Sequence, residues 1–387
     1  MTKPKPSSVE QYMGIETHEC PVMTFEDAFA KKEAVKSNSE QEDILFVDVR
    51  TPKEFEESHV VDAINIPLLT NDQRHMVGLT YAKESKEAAI AKGWEIAGSV
   101  IHDLMDQFAM GIGADETSKP TKLVAIYCWR GGMRSRIVVN LLRLQGFNAI
   151  QLTGGYKEYM NEIVWKGLDR LSQHPFQFIV LFGNTGTRKT EILHELSRTH
   201  PVLDLEECAG HKGSLFGGIN ENPKSQKQFS TLCYHRLQEL VLHQQYSYVF
   251  VEGEANKIGN VHVPTFIYQR IIDSKIKILV TASLECRIAT IKKFYDNPNM
   301  MPEIRAATSS KVLNHNIGAK NVKYLMECLA EDRIDEFCKF LLVEYYDVRY
   351  GFARKHDHEY KLEVCSDDLI ECSDKIRAFY DTVAVGN

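Results

Sequence analysis

No apolar run in this sequence approaches the roughly 18 residues that a membrane-crossing helix requires. The stretch Met1–Glu19 is polar and lacks the apolar segment of an export signal. These absences leave the cytoplasm as the expected compartment and no membrane as a partner. Cysteine is neither paired nor clustered: the nine cysteines are scattered and odd in number, and no two form a Cys-x-x-Cys pair. That argues against a disulfide framework and a zinc site, and most of them are expected as small buried apolar residues. Positive charge is not in excess either. With 46 Lys and Arg against 53 Asp and Glu, the formal net charge is −7, which is not the composition of an obvious nucleic-acid binder. The deficit is uneven: residues 1–165 carry 18 basic and 24 acidic side chains, the remainder 28 and 29. A polyanion is therefore expected on the second half, on a local basic stripe. There is no internal repeat and no low-complexity segment.

What is present is 387 residues, 43% of them hydrophobic, enough for two domains with their own cores. The first half alternates strands and helices. Ile44-Leu-Phe-Val-Asp-Val49 and Leu123-Val-Ala-Ile-Tyr127 are short β-branched runs of the kind found in buried parallel strands. Ala63-Ile-Asn-Ile-Pro67 and Ala149-Ile-Gln-Leu152 are two more strands, the second ended by Gly154-Gly155. Between them, Thr51 caps a helix that has Pro52 at its first position, residues 71–113 are mostly helical, and a helix spans about 135–144. Residues 166–175 read as a linker. The strand Phe176-Gln-Phe-Ile-Val-Leu-Phe182, a tight loop and a helix over 191–198 open a second α/β domain. Tyr246–Val251 and Ile276–Val280 are further strands, and from about Asn321 the chain reads as largely helical.

Tyr127-Cys-Trp-Arg-Gly-Gly-Met-Arg-Ser135 joins a strand to a helix. Glycines at 131 and 132 let the backbone curl so that several N–H groups converge. The helix start adds partial positive charge, and Arg130, Arg134 and Arg136 add full charges. Such a cup favours the thiolate of Cys128 and binds a substrate oxyanion. The plain alternative, an inert buried cysteine, fits poorly with two glycines and three arginines so close by. The spacing Cys-x5-Arg also serves cysteine phosphatases, so the loop alone leaves two chemistries: chalcogen transfer and phosphate-ester hydrolysis. Tyr127 in place of a histidine before the cysteine, and no evident partner acid, weaken the second.

Gly183-Asn-Thr-Gly-Thr-Arg-Lys-Thr190 follows a strand and opens a helix, as a phosphate-binding loop does. Gly183, Thr185 and Gly186 belong to the wrap around the phosphates, Lys189 meets them, and Thr190 is suited to hold Mg²⁺. The pattern calls for glycine just before the lysine. Arg188 stands there instead, and its side chain is expected to crowd the site. The alternative is a loop kept only as scaffold. Glu252, at the end of an apolar strand, and Glu254 are candidates for metal support, or are simply solvated acids.

Further segments complete the pattern. In the first half they are Phe46-Val-Asp-Val-Arg50, Glu54-Phe55, His59, Ala63–Leu68, Arg74 with Val77-Gly78 and Tyr81, Glu87-Ala-Ala-Ile90 and Gly154-Gly155-Tyr156. In the second they are His211-Lys-Gly-Ser-Leu-Phe-Gly217, Glu252-Gly-Glu254 and Lys257-Ile-Gly259. Together with the two loops, over roughly residues 40–300, the chain resembles the bacterial tRNA 2-selenouridine synthase family, a rhodanese domain fused to a P-loop domain. The resemblance implies an α/β protein in which a rhodanese-like domain with a parallel sheet (1–165, core from about 20) precedes a linker (166–175). A P-loop NTPase-like α/β domain with a helical C-terminal part then fills 176–387.

The family acts on tRNA with 2-thiouridine at the wobble position, and the resemblance implies a transferase of two steps. The sulfur is geranylated from geranyl diphosphate, and the S-geranyl group is then replaced by selenium from selenophosphate. No cofactor is bound tightly, Mg²⁺ is a candidate, and an enzyme that supplies selenophosphate is a candidate partner. Carried over, Cys128 is the catalytic thiol that bears selenium; Arg130, Gly131, Gly132, Arg134 and Ser135 bind selenophosphate oxygens; and Gly183, Thr185, Gly186, Lys189 and Thr190 seat the diphosphate. His211, Lys212 and Ser214, in a glycine-flanked loop, contact substrate or support it. Asp48 and Arg50 brace the cysteine loop, and His59 closes a turn. Asp62 occupies a position where rhodaneses have glycine, and Asp tolerates the positive φ required there. Arg236, Arg270, Lys275, Lys277, Arg287, Lys292 and Lys293 are candidates for the basic stripe. Phe216, Tyr234, Phe266 and Tyr268 are candidates to line a geranyl pocket, although ordinary core is the better reading of each taken singly.

Overall fold

The computed structural model describes residues 19–37, 43–112, 122–253, 255–295, 297–350 and 359–384. The chain divides into two compact units, Met1–Leu168 and Asp169–Asn387.

In the first unit the chain runs β1 (Val22–Met23), α1 (Phe25–Ser37), β2 (Ile44–Asp48), α2 (Pro52–Glu57), β3 (Ile64–Asn65), α3 (Asn71–Lys83) and α4 (Lys86–Ile112). It continues through β4 (Leu123–Tyr127), α5 (Met133–Leu144), β5 (Ala149–Leu152) and α6 (Gly155–Glu158). The five strands form one parallel sheet in the order β1-β5-β4-β2-β3, with β4 at its centre. Every residue of β4 is buried, which is why its sequence is unbroken apolar rather than alternating. On one face Val47, Val124 and Ile126 pack with Leu104 and Phe108 of α4 and with Val138, Val139 and Leu142 of α5. On the other, Phe46 meets Phe29 of α1 with ring centroids 5.0 Å apart. The helix cap expected at Thr51 is a capping box: the Thr51 hydroxyl accepts from the Glu54 N–H, and the Glu54 carboxylate accepts from the Thr51 N–H. Asp62 has φ 61°, the left-handed turn expected of it.

After α6, a π-helical segment, Tyr159–Trp165, leads into α7 (Lys166–Gln173). The stretch 166–175, expected as a linker, is thus mostly helix, with Leu168 and Leu171 buried. The division between units falls inside it.

The second unit contains β6 (Gln177–Phe182), α8 (Lys189–Ser197), β7 (Val202–Leu203), α9 (Leu205–Ala209), α10 (Gln226–Leu237) and β8 (Tyr248–Glu252). A small antiparallel pair follows, β9 (Lys257–Ile258) with β10 (Val261–His262), then α11 (Thr265–Asp273), β11 (Ile276–Thr281) and α12 (Leu284–Tyr295). Four helices come next, α13 (Met301–Thr308), α14 (Lys311–Ile317), α15 (Ala319–Ala330) and α16 (Ile334–Phe340), and a π-helical turn, Leu341–Tyr346, leads into α17 (Asp347–Tyr350). Their apolar faces make a core of their own around Phe216, Tyr295, Leu325, Phe337 and Tyr346.

The helical reading of the C-terminal part needs one correction. Leu362–Cys365 is a strand, β12, parallel to β11, and only then does the last helix, α18 (Leu369–Ala384), begin. The second sheet is therefore five-stranded and parallel in the order β12-β11-β6-β8-β7, with β6 at its centre. α18 packs Cys372 and Ile376 into the sheet core beside Leu193 and Leu196 of α8. No helix among the described residues is long and apolar enough to cross a membrane.

Because a left-handed backbone costs a β-branched residue about 1–2 kcal/mol, Asp62→Val is expected to lower stability by that amount in urea denaturation. Asp62→Gly, which loses only a partly exposed ion pair to Lys32, is expected to stay within about 1 kcal/mol of the parent.

Candidate active sites: a cysteine cup and a phosphate loop

Cys128 follows the central strand of the first sheet and is 3% exposed. Two donors reach its sulfur: the Gly132 N–H at 3.3 Å and the Ser135 hydroxyl at 3.2 Å. The loop is held in this shape from behind. Tyr156 N–H donates to the Cys128 carbonyl at 2.8 Å, and Lys157 N–H to the Trp129 carbonyl at 3.0 Å. Both carbonyls are thereby turned away from the cup. This approach needs glycine at 155, where a Cβ would lie 2.3 Å from the Cys128 oxygen. Gly131 takes φ 62° in the same contact.

The residues expected to bind the selenophosphate oxygens do not all do one job. Arg130 is exposed, while Arg134 is tied to Glu54 of α2 through an N–H···O contact of 3.0 Å. Ser135 is fully buried, with its hydroxyl 3.2 Å from both the Cys128 sulfur and the Gly132 carbonyl. The Gly132 N–H is spent on the sulfur. Asp48 and Arg50 brace the loop indirectly. They form a buried pair in which Arg50 donates to both Asp48 oxygens, and the guanidinium lies over the Tyr156 ring at 4.1 Å. Tyr156 in turn holds the Cys128 carbonyl. His59 stacks on Phe55 and contacts the Phe55 carbonyl at 2.8 Å, a local turn closure.

The second loop follows β6, again the central strand. Lys189 Nζ donates to the Gly183 carbonyl at 3.0 Å, and Gly186 takes φ 83°. Arg287 of α12 donates to the Thr185 carbonyl at 2.8 Å and is itself fixed by a two-pronged pair with Asp347 at 2.9 and 2.6 Å. Assigned from sequence to the basic stripe, Arg287 is a buried brace of the phosphate loop.

Arg188 adopts the left-handed conformation, φ 62°, that the missing glycine would have taken. Its side chain does not lie on the loop. It donates to Glu191 at 2.8 Å and to the Ser366 carbonyl at 3.1 Å, and Ser366 Oγ donates back to the Thr187 carbonyl at 3.0 Å. The crowding expected of Arg188 is replaced by an anchor between the loop and the turn after β12. Sequence could not disclose this, because β12 itself was not foreseen.

Thr190 Oγ1 donates to Glu252 Oε1 at 2.8 Å, and Glu252 is 3% exposed, so it is not a solvated strand-end acid. Parallel pairing sets Leu203 opposite Val251, which brings the next residue, Asp204, beside Glu252. Asp204 is 7% exposed. One of its oxygens caps α9 through the Glu207 N–H at 2.8 Å; the other, Oδ2, is buried without a hydrogen-bond partner, with His194 Nε2 3.5 Å away. Burial raises the Asp204 pKa, and the neighbouring Glu252 adds to the rise against the pull of the Glu207 N–H. Two buried carboxylates and a threonine hydroxyl form an oxygen donor set that fits a hard divalent cation. Asp204 escaped the sequence reading because an acid before a helix reads as a cap. Glu254 lies outside the described residues.

The loop after α9 contains His211, half-buried between glycines. A Cβ at Gly259 would come within 2.6 Å of the imidazole, which gives Lys257-Ile-Gly259 its physical reason. The Gly213 N–H donates to His211 Nδ1 at 3.1 Å, and burial lowers the His211 pKa. The ring is therefore neutral near pH 7 with its proton on Nε2. Lys212 pairs with Glu221 at 3.0 Å, and the Ser214 carbonyl closes a turn to the Gly217 N–H.

Most of the expected basic stripe is engaged internally. Arg236 donates to the Val202 carbonyl, Arg270 to the carbonyls of Ser172, His174 and Phe176, and Lys277 to that of Ile272. Lys292 pairs with Asp335 and Lys293 with Glu191, whereas Lys275 is exposed. Phe216 and Tyr234 are 1% and 3% exposed, so both are core.

Residues 31–162 match the family model described as a rhodanese-like domain, and residues 176–320 match that of the tRNA 2-selenouridine synthase AAA domain. A tRNA 2-selenouridine synthase of Nitrosomonas europaea is 35% identical over 254 residues, covering 65% of this chain and 64% of that protein. One from Sulfurovum sp. is 27% identical over 331 residues, covering 79% and 87%. One from Hydrogenovibrio crunogenus is 26% identical over 360 residues, covering 87% and 94%. The chain thus spans slightly less than two thirds of the Nitrosomonas relative and most of the other two.

Two outcomes are expected of these sites. Burial opposes ionisation of Glu54, but Arg134 and the Thr51 N–H outweigh it, and the Glu54 pKa is lowered. Its contribution to stability is then full above the ordinary carboxylate range and is lost as pH falls through the lowered value. Glu54→Gln should remove that part of the acid limb in pH-dependent denaturation. For Arg188→Gly, relief of the left-handed strain and loss of the Glu191 and Ser366 contacts oppose each other at about 1 kcal/mol each. Inorganic diphosphate should bind the variant within about twofold of the parent in titration calorimetry; a gain of tenfold or more would show that Arg188 crowds the site after all.

Proposed function

We propose that this chain, which is similar to tRNA 2-selenouridine synthases over 65–87% of its length, is a transferase that makes 2-selenouridine in tRNA in two steps. In the first, the sulfur of wobble 2-thiouridine attacks C1 of geranyl diphosphate, the C–O bond breaks, and diphosphate leaves. In the second, selenium from selenophosphate takes the place of the S-geranyl group at C2, which departs as geranylthiol. Sulfur and selenium exchange at the same oxidation level, so the net replacement needs no oxidant.

The observation that carries this reading is the pairing, within one chain, of a cysteine sulfur held by two donors with a phosphate loop of intact shape. Cys128 is assigned the selenium as Cys–S–Se⁻. Phosphate leaves the selenophosphate, and a disulfide-class oxidant takes up the two electrons lost as the S–Se bond forms. A thiol returns two electrons when that bond breaks after selenium has joined C2, so the two cancel in the net exchange. Arg130 and Arg134 are assigned to the selenophosphate oxygens, Arg134 sharing its charge with Glu54. Lys189 is placed to leave the Gly183 carbonyl for the diphosphate. Thr190, Glu252 and Asp204 would hold Mg²⁺, which supplies charge neutralisation for a departing diphosphate. His211, neutral with a hydrogen on Nε2, is a donor and not an acid at pH 7. tRNA, a selenophosphate-supplying enzyme and the cytoplasm are the corresponding partners and compartment. The cations engaged elsewhere leave Lys275 and Arg130 as better starting points for a tRNA footprint than the stripe read from sequence.

The test is mass spectrometry of nucleosides from a 2-thiouridine tRNA supplied with geranyl diphosphate and selenophosphate. Wild type should give S-geranyl-2-thiouridine and then 2-selenouridine. Lys189→Ala should lower geranylation about a hundredfold yet still convert pre-geranylated tRNA, and Cys128→Ser should do the reverse. If wild type yields neither nucleoside but forms thiocyanate from thiosulfate and cyanide, the protein is a sulfurtransferase and this proposal fails.

A further inference from the structure

β5 is buried at all four of its positions, Ala149, Ile150, Gln151 and Leu152, and a polar side chain in such a strand must find partners. Gln151 is 3% exposed. Its backbone N–H goes to the Pro21 carbonyl at 2.9 Å, so the side chain alone faces the cysteine loop. The amide nitrogen Nε2 donates to Ser135 Oγ at 2.7 Å and to the Gly132 carbonyl at 3.0 Å, which uses both of its hydrogens. The opposite amide orientation would set one acceptor against another at Gly132.

Ser135 has a single hydroxyl hydrogen and two acceptors at 3.2 Å, Cys128 Sγ and the Gly132 carbonyl. Gln151 biases that choice at both ends: it fills an acceptor site on the hydroxyl oxygen, and it occupies the competing carbonyl. A thiolate, being charged, is then the stronger acceptor for the remaining hydrogen.

We propose that Gln151 is a positioning residue for Cys128, acting through Ser135 to hold a hydroxyl hydrogen on the sulfur. It does not touch the sulfur, and it adds no charge. The charged groups on neighbouring elements are Arg130 in the loop, Arg134 and Arg136 on α5, Glu54 on α2, and the Asp48–Arg50 pair at the end of β2. None of them changes when residue 151 does. The inference rests on Cys128 working as a thiolate, but it can be tested without tRNA, selenophosphate or any nucleoside product.

The test is the pH dependence of Cys128 alkylation by iodoacetamide in the full chain, read by peptide mass spectrometry to separate Cys128 from the eight other cysteines. Ser135→Ala and Gln151→Met are each expected to move the midpoint of the rate profile upward and to slow alkylation near neutral pH about tenfold. The double variant should match Ser135→Ala alone, because the glutamine acts through that hydroxyl. Gln151→Glu, similar in size but unable to donate when ionised, should move the midpoint further. A Gln151→Met profile equal to wild type, or a double variant whose shift sums the two singles, overturns the proposal. If the methionine variant does not fold, Gln151→Asn, which keeps the amide but shortens its reach, decides in the same way: a shifted profile supports the proposal and an unchanged one overturns it. Failure of the selenium chemistry would instead leave these profiles intact and show in the nucleosides.

Discussion

Each unit depends on the backbone N–H groups that a central parallel strand leaves unpaired where its chain turns into a helix. β4 leads into Cys128 and β6 into Gly183, and both are the middle strand of a five-stranded sheet. At that point the ladder stops, the following helix has not begun, and its first N–H groups have no carbonyl to meet. In the first unit one such group is given to a sulfur. In the second the loop keeps its wrapped shape while the lysine waits on a loop carbonyl. The surrounding architecture serves to keep competing carbonyls out: Tyr156 and Lys157 take those of Cys128 and Trp129, and Arg287 takes that of Thr185.

That arrangement explains why much of the fold was legible in the sequence. Strands buried on both faces must be continuously apolar, so β2, β4, β6 and β8 announced themselves, and the glycines marked where each loop curls. Of the four edge strands, only β3 did. β12 is a four-residue strand with alternating exposure inside a mostly helical stretch, and β1 has only two residues. Missing β12 had a consequence at the site, since the turn after it supplies the carbonyl that draws Arg188 away from the phosphate loop.

The roles of polar residues were harder to read. A cation in a sequence carries no sign of whether it will meet a phosphate or a backbone carbonyl, so Arg236, Arg270 and Arg287 were assigned to a surface stripe and turned out to be internal ties. Ser135, expected at a substrate oxyanion, is buried with its hydroxyl between the Cys128 sulfur and the Gly132 carbonyl. In the opposite direction, Gln151 and Asp204 are buried among apolar neighbours, and only the structure shows what they reach. A polar residue inside an otherwise apolar parallel strand was the one available signal for Gln151. No comparable signal existed for Asp204, whose capping role is sufficient reason for an acid at that position.

The central claim is that Cys128 carries the selenium, and it can be examined on the protein itself. Incubation with selenophosphate and a disulfide oxidant, followed by mass spectrometry of the peptide containing Cys128, should reveal one added selenium atom there, absent from Cys128→Ser and removed on addition of geranylated tRNA and a thiol. Production of 2-selenouridine by an enzyme whose Cys128 never acquires selenium, or by the serine variant at the wild-type rate, would contradict the account.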